Sequence, residues 1–104
     1  MAEIKTKTEV RARIAPKENL PEPRDYNVIY MNDNVTTMEF VVESLKNIVH
    51  YTEEGAHALC LRVHDEGSAV VATLPYEMAE QKGIEVTLLA RTNGYPLQVK
   101  IESE

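Results

Sequence analysis

The stretch Tyr26–Phe40, YNVIYMNDNVTTMEF, decides how the rest of this chain is read. Its first six residues are rich in aromatic and branched side chains and form a strand pattern. The pattern stops at Asn32-Asp33-Asn34, a cluster of turn-forming side chains. A helix signal follows at once, because Thr36-Thr37-Met38-Glu39 has the Thr-x-x-Glu form of a capping box. Side-chain oxygens therefore crowd between a strand end and a helix start. Rigid flanks there can present acceptors to a cationic group, which is where binding residues concentrate.

Outward from this stretch the chain alternates in type. Met38, Val41, Val42, Leu45, Ile48 and Val49 recur at helical spacing, which predicts a helix over 38–49. Thr52 can cap a second helix running to about Asp65, with Ala56, Leu59, Cys60 and Val63 on its apolar stripe and Gly67 as its stop. Ser68–Leu74 reads as a short strand. Pro75 fits the first turn of a third helix, on which Ala79, Gly83, Val86 and Ala90 share a face until Asn93-Gly94 ends it. Leu97, Val99 and Ile101 then alternate with polar residues, a strand with one wet face. The order is β-α-α-β-α-β. The fold class is an α/β (α+β) sandwich, with three helices packed on a three-stranded sheet.

Residues 1–24 differ. Six positive and four negative charges give them a net +2, so the chain's net −6 leaves −8 for residues 25–104. Pro16, Pro21 and Pro23 interrupt any regular ladder, which predicts a flexible, extended N-terminal arm on one core domain of residues 25–104. The acidic core argues against nucleic-acid binding and against anionic membrane surfaces. No apolar run reaches the roughly 20 residues of a membrane span. The N-terminus lacks a secretory apolar core, and Cys60 is the single cysteine. A cytoplasmic monomer is the simplest expectation.

Chemistry is scarce. Cys60 lies on an apolar stripe, which favours a buried inert thiol over a nucleophile. No phosphate loop or nucleophile elbow occurs. His57, Cys60 and His64 stand at i, i+3 and i+7, a set zinc accepts, but Cys60 would have to leave the core and no fourth ligand is evident. No metal, cofactor or catalytic residue is expected. The Asn32–Thr36 cluster reads either as an ordinary turn or as acceptors beside the apolar Met38 and Val41, with His64 following Val63 at the end of the second helix.

Four blocks carry a resemblance in order and spacing: N-D-x-x-T-x-M-E-F at Asn32–Phe40, Val63-His64, E-x-A-E-x-K from Glu77 to Lys82, and Pro96-Leu97. Over about residues 25–104 the chain resembles the ClpS family of N-end-rule adaptors. The resemblance implies no enzyme. It implies an adaptor that binds proteins with N-terminal Phe, Leu, Tyr or Trp and delivers them to a Clp AAA+ unfoldase, of ClpA or ClpC type, paired with the ClpP protease. It implies that Asn32, Asp33 and His64 hold the substrate's α-ammonium group. It also implies a side-chain pocket walled by Thr36, Met38, Val41, Cys60, Val63 and Leu97, with Asn34 at the mouth and Met38 as a gate against side chains branched at Cβ. Glu77 and Lys82 match the surface that docks on the unfoldase's N-terminal domain, and the arm would engage the unfoldase during delivery. Asn34 stands where many members carry Asp, and Thr37 where Pro is common. A generic acidic interaction module, without recognition of the chain end, is the alternative from a different class.

Overall fold

The structure, a computed structural model of the chain, describes residues 24–104. The arm expected over residues 1–24 lies outside them, save for Arg24. Six elements follow in order: β1 (Asp25–Met31), α1 (Met38–Asn47), α2 (Glu53–Glu66), β2 (Ser68–Pro75), α3 (Tyr76–Thr92) and β3 (Gln98–Ser103). The sheet is antiparallel with order β2-β1-β3, so the first strand is central and paired on both sides. This explains why β1 has fewer exposed residues than either neighbour. Val28 and Tyr30 point into the core with almost no exposure, among residues from all three helices. No helix among the described residues is long and apolar enough to cross a membrane.

The buried phenol of Tyr30 meets Ser44 of α1 at 2.7 Å, and Ser44 in turn donates to the Val41 carbonyl at 2.9 Å. Tyr30 is therefore the donor of the first bond, and no polar atom of the pair is stranded. Burial pushes the phenol up to about 12, against a smaller opposing effect of the Ser44 hydroxyl. The helix stripe read from sequence is narrower than expected. Val41, Ser44 and Leu45 are the buried residues of α1. The helix stops at Asn47, with Ile48 as its cap, because His50 turns the chain through a positive φ of 72°. Tyr51 then donates to the Val71 carbonyl at 2.7 Å. That carbonyl is free because the register shifts there: Val28 pairs with Ala72 and Ile29 with Val70, leaving Val71 as a bulge residue.

Helix α2 forms as its sequence predicts. Thr52 accepts from the Gly55 N–H at 3.1 Å, and Gly67 ends the helix in the left-handed region at φ 91°. An added Cβ at Gly67 would meet nothing within 4 Å, so the whole cost of a side chain there is backbone strain. Gly67→Ala is expected to destabilise the fold by roughly 1–2 kcal/mol, read as a lower urea midpoint with an unchanged slope. Pro75 caps α3 instead of entering its first turn, because its ψ of 153° is extended. Gly83 brings α3 close to β3, where a Cβ would stand 3.2 Å from Ile101 Cδ1.

Candidate functional site

The end of β1 and the end of α2 are tied together by backbone bonds. Met31 pairs with Ser68, and the Asn32 N–H donates to the Gly67 carbonyl at 2.9 Å. His64 sits three residues before Gly67 on the last turn of α2. The sheet register thus delivers Asn32 and His64, 32 positions apart in sequence, to one rim.

Asp33 then folds the loop on itself. Its Oδ1 accepts from the N–H groups of Val35, at 2.8 Å, and Thr36, at 2.7 Å. Its Oδ2 accepts from the Thr36 hydroxyl at 2.8 Å. This is the turn reading of the cluster, and it changes the cap. Thr36 has given its hydroxyl to Asp33, so Thr37 caps α1, accepting from the Phe40 N–H at 3.2 Å. The cap thus lies one residue beyond the expected Thr36, and the Thr36–Glu39 capping box does not form, because the third helical residue is Phe40.

A cavity of about 390 Å³ opens between this turn, α1 and α2. That volume is toward the lower end for ligand pockets, which run roughly 300–1,000 Å³. Asn32, Asp33 and His64 border it, as do Asn34, Thr36, Met38, Val41, Cys60 and Val63. Its apolar wall is firm, since Val41, Cys60 and Val63 are each buried. Burial pushes the Cys60 thiol up, keeping it protonated, and it donates weakly to the Met38 carbonyl at 3.7 Å. Met38 itself is 40% exposed, which moves it from the core stripe to the cavity wall.

Leu97 is set apart from the border of the cavity. It is 1% exposed in the hydrophobic core and is not among the residues bordering the cavity. The alternation that sets Leu97 with Val99 and Ile101 turns it toward the helices packed on the sheet. Two residues that do border the cavity, Val35 and Thr37, escaped sequence reading. The Asp-x-x-Thr spacing of the turn was the available signal for both.

The rim is polar and anionic. Burial alone would raise the Asp33 carboxyl, but the N–H groups of Thr36 and Val35, the Thr36 hydroxyl and the nearby Arg91 charge together hold it below its ordinary value. A carboxylate offers about four acceptor directions, and three are filled here. One remains on Oδ2. The Asn32 amide and the His64 ring have no hydrogen-bond partner among the described residues. One anionic oxygen, one amide oxygen and one imidazole nitrogen are thus on hand for a donor-rich cation beside an apolar hole.

His57, by contrast, is exposed and borders a separate groove with Glu43 and Glu53. The trio His57, Cys60 and His64 does not form a ligand set. No group of three or more His, Cys, Asp or Glu that could hold a metal occurs among the described residues. Glu77 is exposed in the first turn of α3, and Lys82 is partly buried with Glu85 3.9 Å away. Five residues apart, they are separated by about 140° around the helix. None of the residues bordering the cavity belongs to α3, so the two sets lie on separate elements.

A family model described as ATP-dependent Clp protease adaptor protein ClpS matches residues 21–100. The ATP-dependent Clp protease adapter protein ClpS of Nautilia profundicola is 45% identical over 80 residues, 77% of this chain and 82% of that one. Its namesake in Campylobacter jejuni subsp. doylei is 38% identical over 95 residues, 91% of this chain and 99% of that one. Among solved structures, Agrobacterium tumefaciens ClpS2 bound to L-phenylalaninamide superposes with a TM-score of 0.78 at 35% identity, covering 80% of this chain and 100% of that one.

Proposed function

The chain belongs to the ClpS family of Clp protease adaptors, and from that premise we propose that it captures proteins by a bulky apolar N-terminal residue and delivers them to a Clp unfoldase. The observation that carries this reading is the meeting of Asn32, Asp33 and His64 at the rim of a cavity walled by Val41, Cys60 and Val63. The similar Agrobacterium protein was solved with L-phenylalaninamide. That molecule has a free α-amine, one large side chain and an amide in place of the next peptide bond, so it has the chemistry of a chain beginning with phenylalanine.

Each part of such a chain end has a counterpart in the cavity. An α-ammonium has three N–H donors and a positive charge. The open Oδ2 direction of Asp33 supplies charge, and Asn32 and His64 supply neutral acceptors. A charge-assisted bond contributes roughly 1.5–3 kcal/mol, and burying one Phe or Leu side chain roughly the same. After the losses of association, a micromolar Kd, about −8 kcal/mol, is expected. The side chain enters between Met38 and the wall formed by Val41, Cys60 and Val63, while Thr36 and Asn34 shape the mouth. Delivery uses the other side of the division noted above. Glu77 and Lys82 of α3 dock on an unfoldase of ClpA or ClpC type, leaving the cavity open, and residues 1–24 engage the unfoldase.

The test is a titration of two peptides that differ only in a first residue of Phe or Gly, followed by degradation of a Phe-first substrate by the unfoldase and ClpP. A preference for Phe of roughly tenfold to a hundredfold is expected from side-chain burial. Equal binding of both peptides would leave only a charged interaction module.

A further inference from the structure

The segment that follows α3 is fastened down and touches the loop that borders the cavity. Arg91, in the last turn of α3, donates from Nη1 to two carbonyls, those of Tyr95 and Leu97, each at 2.9 Å. The Tyr95 N–H returns to the Ala90 carbonyl at 2.8 Å, and the Gly94 N–H to that of Arg91 at 3.0 Å. Gly94 makes the bend possible with a φ of 80°. Residues 94–97 are thereby held against the end of α3.

The held segment lays the Tyr95 ring on Phe40, with centroids 5.1 Å apart and planes inclined at 53°. It also brings the phenol oxygen to 3.4 Å from Thr37 Oγ1. Thr37 and Phe40 are the two ends of the α1 cap, since the Thr37 hydroxyl accepts from the Phe40 N–H. Met38 lies between them, and Thr36 precedes them. Whatever fixes Thr37 and Phe40 also fixes the angle at which Thr36 and Met38 meet the cavity.

We propose that Tyr95 is a positioning residue for the substrate cavity: its ring, clamped through Arg91, braces the first turn of α1 and so holds the Asp33–Thr36 turn in its binding shape. The inference rests on reading the cavity as the substrate site. The ring and not the hydroxyl is the working part. A separation of 3.4 Å lies beyond the roughly 2.5–3.0 Å of an ordinary O–H···O bond, whereas the ring pair has the spacing at which aromatic contacts stabilise. Arg91 adds a second effect, because its charge favours the ionised form of Asp33.

The experiment compares Tyr95→Phe, Tyr95→Ala and Arg91→Gln in the full chain. Three quantities are read: affinity for a Phe-first peptide, the thermal midpoint, and the ¹H–¹⁵N resonances of Val35 and Thr36, whose amides report on the Asp33 turn. Tyr95→Phe is expected to bind within about twofold of the parent and leave both resonances in place. Tyr95→Ala is expected to weaken binding about three- to tenfold and displace both resonances in the free protein, well below its midpoint. Arg91→Gln keeps the ring but frees the segment, and should act in the same direction. The proposal is overturned if Tyr95→Ala binds like the parent, if affinity falls with both resonances unmoved, or if Tyr95→Phe loses as much as Tyr95→Ala. Should Tyr95→Ala fail to fold, Arg91→Gln decides by the same two readouts. A parent protein that does not prefer Phe over Gly defeats the substrate reading instead, and the displacement of Val35 and Thr36 then still decides whether Tyr95 braces the loop.

Discussion

Acetylating the α-amine of a Phe-first peptide is expected to weaken its binding by about a hundredfold or more, beyond the range of an ordinary titration. The modification leaves the side chain and every later residue unchanged. It removes the charge, reduces three N–H donors to one and places a methyl group at the polar rim. Asp33 Oδ2 then faces no cation, and at most one of Asn32 and His64 finds a donor. Losing two charge-assisted bonds at roughly 1.5–3 kcal/mol each gives about 3 kcal/mol at the least, and each 1.4 kcal/mol is tenfold. Replacing Phe by Gly removes the other half of the interaction, the burial of one side chain. Comparing the two losses by fluorescence anisotropy apportions the affinity between rim and cavity. An acetylated peptide that binds within tenfold of the free one would show that the rim does not hold a cation.

The contrast between what was legible and what was not follows from the range over which each feature is encoded. Helix α2 was readable to within a residue because Thr52, the apolar stripe and Gly67 are local signals that agree. The period-two pattern of β3 placed Val99 and Ile101 correctly for the same reason. The α1 cap was misplaced because Thr36 and Thr37 are equally good caps in isolation; only the hydrogen bond from Thr36 to Asp33 decides between them. Met38 keeps perfect helical spacing and is still 40% exposed, since at the first position of α1 it borders a cavity that a periodic pattern does not describe. The central place of β1, the bulge at Val71 and the Tyr95–Phe40 contact depend on residues far apart in sequence, and no window of residues contains them. Asn32, Asp33, Asn34, Thr36, Met38, Val41, Cys60, Val63 and His64, which the motif blocks imply, border one cavity. Leu97 is the exception. Its alternation with Val99 and Ile101 places it in the core.

Asp33→Asn is expected to separate two duties that one carboxylate performs. As a turn former, Asp33 needs an acceptor for the Val35 and Thr36 amides, and the carbonyl oxygen of Asn can take the place of Oδ1. The Thr36 hydroxyl can rotate to accept from the new NH₂ group where it formerly donated to Oδ2. The fold and the loop should therefore survive. As a cation holder, Asn has no charge to offer, so affinity for a Phe-first peptide should fall by roughly ten- to a hundredfold. Asp33→Ala loses both duties and should bind still more weakly, with displaced Val35 and Thr36 resonances that Asp33→Asn lacks. The pH dependence has a definite sign. The carboxyl in the folded chain lies below its ordinary value of 3.8, so its stabilisation of the turn is complete above that value and is lost as pH falls through the lowered one. Asp33 consequently stays ionised between about pH 8 and pH 5. Any loss of binding in that interval therefore arises from a group other than the Asp33 carboxylate. If Asp33→Asn instead binds as tightly as the parent at every pH, the carboxylate serves the turn alone and the cation is held elsewhere.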